Sequence, residues 1–285
     1  MTWLGISIAL VGAFGYAFGA AIQQREAAAL GATLRLVRRP RWWVGGIIGF
    51  TGASLHALAL SLAPLIVIQP VSVATLVFAV VLAAWLHGRR PHRAEITGSI
   101  AVAAGLLGLM LLVPTHNVKP VLTTPEAIGL IVVVFTFTAI CFGVARVLRG
   151  PAKALAMALG AGSVTATVST FVRVVGGGLG GDFAKLLHWF TAAIPVLLIC
   201  AVVLLQKSYA VGYFGIAYAG VQVVDPVTSV LAGVLLLGEP VPTGAGHLIP
   251  AALAAAVLIA GTITLSRLTP DHTKAATPAP EPAAV

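Results

Sequence analysis

Apolar residues in this chain come in long runs with almost no charge, separated by short polar stretches. Nine such runs stand out: Trp3–Ile22, Trp42–Leu62, Leu65–Leu86, Ile96–Val113, Ala127–Ala145, Ala152–Val172, Trp189–Gln206, Gly215–Leu237 and Leu248–Leu265. Each is roughly 20 residues, the length that a helix rising ~1.5 Å per residue needs to cross a hydrocarbon core of ~30 Å. The pattern predicts an all-α integral membrane protein of about nine transmembrane helices. The sixth run is the most dilute, with Ser163, Thr165, Thr167, Ser169 and Thr170 inside it. Trp3, Trp42, Trp43, Trp85 and Trp189 all fall at run ends, where an amphipathic indole prefers the headgroup level.

Charge gives the array a direction. If the runs alternate across the bilayer, one side collects Arg25, Arg35, Arg38, Arg39 and Arg41, then Arg89, Arg90 and Arg93, then Arg146, Arg149 and Lys153, and finally Lys207, Arg267 and Lys274. Those are fourteen of the 17 basic residues, and the other side keeps only Lys119, Arg173 and Lys185. The positive-inside rule then places the N-terminus outside and the C-terminus in the cytoplasm, in an inner or plasma membrane.

Composition narrows the class further. The 285 residues are 59% hydrophobic and 9% charged, with a mean hydropathy of +1.04, too little charge to keep a folded domain soluble in water. The 31 glycines are spread through the runs, where small residues let helix backbones pack closely in lipid. A net charge of +9 is accounted for by anionic lipid on the cytoplasmic leaflet, so the lipid bilayer is the expected partner and nucleic acid is not. Association with further copies of the chain is left open. The start lacks a basic n-region before its apolar run and reads as a retained first helix rather than a secretory signal. From Thr269 the chain turns Pro/Ala-rich and polar, and residues 269–285 are expected to be a disordered cytoplasmic tail. Cys141 and Cys200 sit singly in apolar runs with no metal or redox spacing, and read as small core residues. No cofactor is expected, and no metal site can be named.

A shift of 156 positions lays Pro70 on Pro226, Val71 on Val227, Ser72 on Thr228 and Ala104-Gly105 on Ala260-Gly261. On that basis residues 1–113 form a first repeat of four spans, 114–151 a connector helix and 152–268 a second repeat. An odd connector inverts the second copy, the architecture of secondary transporters, with the site between the halves near the midplane. Pro70 and Pro226 are expected to break their helices there, at similar depths.

Several short motifs carry a resemblance. Gly238-Glu239-Pro240, after an apolar run begun by Asp225-Pro226, resembles the second half of EamA-like proteins of the drug/metabolite transporter superfamily. The stretch Ala63-Pro64-Leu65-Ile66-Val67-Ile68-Gln69-Pro70, Gln23-Gln24-Arg25 and Gln206-Lys207-Ser208-Tyr209-Ala210 are similar to the NIPA-like magnesium transporter branch. His87-Gly88-Arg89 departs from the Gly-Glu or Asn-Glu pair common in the superfamily. The resemblance implies a transporter.

Polar residues inside the runs are the candidate site. Asp225 is an acid well inside a predicted span; an ionisable group there costs on the order of 2.5–3.5 kcal/mol and should face a cavity or a partner. Gln222, Thr228 and Ser229 share its helical face. The structural alternative is capping, with Asp225 as N-cap and Pro226 opening a half-helix. Gln69 is the counterpart in the first half, with Ser72 nearby, and either meets a solute or hydrogen-bonds backbone that Pro70 leaves unpaired. His56 is mid-span and either takes up a proton or bonds a neighbouring helix. Ser163, Thr167 and Thr170 share one face and read as helix–helix hydrogen bonding. Glu239, flanked by a C-cap glycine and a proline, is assigned no chemistry. Gly176–Gly181 lacks the Lys-Ser/Thr of a phosphate loop and reads as a flexible outer loop.

These residues support a secondary transporter that moves a small solute by alternating access. A NIPA-like permease for Mg²⁺ or another divalent cation is the alternative, with Asp225 as the carboxylate. A structural membrane subunit without transport is also open. An intramembrane enzyme is not expected, because no acid pair, H-E-x-x-H or Ser/His set is present.

Overall fold

A computed structural model describes residues 2–62, 65–112, 122–178, 189–236 and 245–267. Among them are nine α-helices and no strand: α1 (Thr2–Leu30), α2 (Pro40–Leu62), α3 (Leu65–Leu86), α4 (Arg93–Leu112), α5 (Thr124–Val144), α6 (Gly150–Gly178), α7 (Trp189–Tyr209), α8 (Phe214–Leu236) and α9 (Ala245–Ser266). Every expected span falls on one of them. Over their described residues α1, α4, α5, α6, α7 and α9 are long and apolar enough to cross a membrane. The outer surface is apolar too: Phe50, Ile100, Val133, Ile199, Leu235 and Leu253 are all exposed. Such a surface is compatible with lipid as solvent, because each helix satisfies its own backbone and needs no water outside.

Helix ends depart from the apolar runs for local reasons. α1 continues past Ile22 through Gln23-Gln24-Arg25-Glu26 to Leu30, because leaving the hydrocarbon core does not oblige a helix to stop. A short 3-10 turn, Leu34–Arg38, follows. α5 starts three residues before its apolar run, at a capping box in which Thr123 N–H and Oγ1 both donate to Glu126 Oε2, at 2.8 and 2.7 Å. α3 closes on a Schellman motif: Gly88 has φ +68°, its N–H donates to the Trp85 carbonyl, and the Arg89 N–H to that of Ala84. Arg89 then grips Glu95 of α4 through two hydrogen bonds of 2.7 Å, and the His92 N–H also donates to that carboxylate, at 2.7 Å.

Two expectations need correction. The glycine stretch from Gly176 is not wholly a loop, since α6 remains helical through Gly178. The prolines do not break their helices into halves. α3 runs through Pro70, and α8 through Asp225-Pro226. Proline deprives a helix of one N–H, and in a bundle neighbouring groups can take up the freed carbonyl. Pro70 stands five residues into α3 and Pro226 twelve into α8. Glu239 and the residues from Thr269 onward lie outside the described residues.

Packing follows the glycines. α1 and α2 meet along Gly12, Gly15 and Gly19 against Gly45, Gly49 and Gly52. Gly12 faces Gly52 while Gly19 faces Gly45, so the two helices run antiparallel. α4 and α9 close through a second seam. A Cβ on Gly105 would sit 2.6 Å from the Ala254 carbonyl oxygen and 2.6 Å from Leu258 N; one on Gly261 would sit 2.8 Å from the Gly98 carbonyl oxygen and 2.6 Å from Val102 N. The residues of the second contact lie 156 positions from those of the first. The partners descend α9 as they climb α4, which makes this pair antiparallel as well.

Neighbour relations in the two halves correspond. α1 packs on α2 and α3, and α3 on α4; likewise α6 packs on α7 and α8, and α8 on α9. Between the halves α3 meets α8, α4 meets α9 and α1 meets α7. α5 lies against α6. One apolar core joins α1, α3, α6, α7 and α8, and another joins α5, α6, α7 and α8.

Candidate functional site

α8 carries the candidate acid. Gln222, Asp225 and Thr228 lie at three-residue intervals on one face of the helix and are each half-buried. Asp225 stands eleven residues from the start of α8, about 16 Å along its axis, near the middle of a span. Because the helix is continuous there, Asp225 caps nothing.

The partner that the structure supplies comes from α1. Tyr16, on a helix from the other half of the chain, lies within electrostatic reach of Asp225. Tyr16 is also within reach of Tyr209 at the end of α7 and Tyr218 in the second turn of α8, and those two of each other. Three of the chain's four tyrosines therefore gather at the α1–α7–α8 junction beside the acid. Phe214 ties two of these rings together, lying 5.2 Å from Tyr209 and 5.4 Å from Tyr218. Tyr209 and Tyr218 are buried and Tyr16 is exposed.

Sequence reasoning named none of these tyrosines as site residues, although a signal was there. Tyrosine belongs to the headgroup level, and Tyr16 sits mid-way along the first apolar run. The glutamines flagged only through the family resemblance also meet: Gln206 Nε2 donates to Gln23 Oε1 at 3.2 Å, closing α7 onto α1 one turn below the tyrosines.

Other candidates are placed differently. His56 lies on the α1–α2 seam, its backbone nitrogen 3.0 Å from where a Gly12 Cβ would be, while Tyr16 backs onto Gly52 of the same seam. His56 and Tyr16 thus stand about one turn apart along it. Gln69 and Ser72 belong to the first turns of α3 and Ser229 to α8; their side chains, with those of Pro70 and Pro226, lie outside the described residues. In α6 the hydroxyls serve structure. Ser163 Oγ is 3.3 Å from Thr138 Oγ1 of α5, which also donates to the Gly160 carbonyl at 3.1 Å. Thr167 and Thr170 return their hydrogens to carbonyls of their own helix. Among the described residues no three of His, Cys, Asp and Glu gather as metal ligands.

The chain is 25% identical over 282 residues to an uncharacterized protein of Corynebacterium glutamicum, an alignment covering 93% of this chain and 95% of that one. The similarity therefore runs through all nine helices, the acid-bearing α8 included. No family model matches the chain. No solved structure matches it either.

Proposed function

We propose that this protein is a secondary transporter of a small solute, of the kind found in the drug/metabolite transporter superfamily. Two four-helix repeats, α1–α4 and α6–α9, would rock against each other around Asp225. The observation that carries this reading is the place of Asp225: a carboxylate inside the continuous helix α8, at mid-span and within electrostatic reach of Tyr16 from the other half, where alternating access would expose it to each side in turn.

The helix packing supports the inverted arrangement. The antiparallel α4–α9 crossing is what a two-fold axis lying in the membrane plane produces, and the matching neighbour relations of the halves extend it. With α5 as the odd connector, the second copy enters the bilayer upside down. The charge distribution then puts the N-terminus outside and the C-terminus in the cytoplasm.

The test is uptake by the purified protein in proteoliposomes, with Mg²⁺, small metabolites and cationic drugs as probes, with and without a pH gradient. The wild type should move one of these solutes, and a folded Asp225→Asn variant should not. Undiminished transport by Asp225→Asn across a range of pH would sink the proposal for this site. Uptake of Mg²⁺ alone would assign the divalent-cation function instead.

A further inference from the structure

The turn between α1 and α2 sits at the level of the lipid headgroups. Gly45 of α2 packs against Gly19, Ile22 and Gln23 of α1. Trp42 and Trp43, just before Gly45, are therefore level with the point where the apolar run of α1 ends. That is the depth an indole prefers. Trp43 Nε1 donates to the Val37 carbonyl at 2.8 Å, which fixes the 3-10 turn Leu34–Arg38 at the same depth. Within the turn Leu36 is 3% exposed and belongs to the core, whereas Leu34 and Val37 are 88% and 50% exposed. Around these two, Arg35, Arg38, Arg39 and Arg41 are all exposed. Among the described residues none of the four forms a salt bridge. Glu26, the one acid in residues 1–94, pairs with none of them.

We propose that residues 34–41 are an in-plane anchor for anionic phospholipid in the leaflet at this end of the bundle. Leu34 and Val37 enter the boundary between headgroups and acyl chains, while the four arginines bind headgroup phosphates. A guanidinium offers phosphate a planar pair of donors, and a cluster of basic charge beside exposed apolar side chains is what such a surface attracts. The occupant is lipid rather than a soluble anion, because only lipid covers Leu34 and Val37 as well as the arginines. Leu36 and the Trp43 hydrogen bond hold the turn in place before any lipid arrives. The anchor does not depend on the transporter reading.

The test is contact quenching by brominated lipid. A bimane is attached through Val37→Cys in the full chain, with Cys141 and Cys200 replaced by alanine. The protein is placed in phosphatidylcholine vesicles that contain either brominated phosphatidylglycerol or brominated phosphatidylcholine. The anionic lipid should quench at a mole fraction about threefold lower than the zwitterionic one. That preference should vanish when Arg35, Arg38, Arg39 and Arg41 are all replaced by glutamine. A bimane attached through Phe50→Cys, exposed in the middle of α2, is the control. It should be quenched equally by both lipids in either background, which shows that the arginine variant is still folded in the membrane. If the fourfold variant does not reconstitute, Arg38→Gln with Arg39→Gln is read in its place and should lower the preference. No quenching at Val37→Cys, equal quenching by the two lipids, or a preference that survives the glutamines overturns the anchor. So does a preference abolished by inorganic phosphate but not by sodium chloride at the same ionic strength, which would give the arginines to a soluble anion.

Discussion

Asp225 sits in the interior of a continuous helix, and that changes what its replacement does. Were it an N-cap, Asp225→Ala would cost about 0.5–2 kcal/mol. As a mid-helix charge it is a burden to folding instead, of the order of 2.5–3.5 kcal/mol by insertion scales. Asp225→Asn and Asp225→Ala should therefore leave thermal unfolding in detergent unchanged or raised while abolishing transport. A large drop in melting temperature for Asp225→Ala would restore the capping reading. Tyr16→Phe isolates the phenol hydroxyl. If the phenol supports the carboxylate's role, transport should fall, by less than for Asp225→Asn. Full activity in Tyr16→Phe would mean that the carboxylate relies on other groups.

Elements were easier to foresee in number and place than in partnership. All nine runs became helices because a stretch of ~20 apolar residues has few alternatives in lipid. Their ends moved where polar chemistry outside the core took over, as at the Thr123–Glu126 box and in the two extra turns of α1. Which helix meets which was not legible: most faces of these helices are apolar, so periodicity does not mark the buried one. Glycines mark it only once the partner backbone is known. Gly105 and Gly261 abut backbone atoms at 2.6–2.8 Å from their would-be Cβ positions, whereas Gly129 and Gly143 on α5 have open space there. Gly105→Ala and Gly261→Ala should each destabilise by about 1–3 kcal/mol, and by similar amounts because the two contacts are similarly close. Gly129→Ala should be neutral or stabilising by up to about 1 kcal/mol. Thermal unfolding of the three variants checks this, and harmless substitution at Gly105 would refute the tight α4–α9 seam. Glu95 offers a test at the α3–α4 corner: it is 7% exposed and bound by Arg89 and the His92 N–H. Glu95→Ala leaves both donors short and should cost about 1–3 kcal/mol, read in the same assay. An unchanged melting temperature would make the pair ornamental.

At the scale of the whole molecule, the proposed repeat rests on matched positions in the two halves. Pro70 and Pro226 suggested the 156-residue shift, and Gly105 and Gly261, which the same shift relates, both pack against backbone at the α4–α9 crossing. Everything about the inversion then turns on α5. Four-helix copies joined by a crossing helix must be antiparallel, and copies joined by a helix that lies on the membrane must be parallel. The α4–α9 crossing is antiparallel, so the proposed inverted arrangement requires α5 to cross. Its two ends can be read separately: Pro125 is exposed at its start and Val147, 81% exposed, lies just past its end beside Arg146 and Arg149. In a background with Cys141 and Cys200 replaced, an impermeant thiol reagent should label Pro125→Cys only from outside and Val147→Cys only from the cytoplasm. The assignment of sides follows from the excess of arginine and lysine around Val147. Labelling of both from one face would leave α5 uncrossed, and no arrangement of inverted halves would survive it.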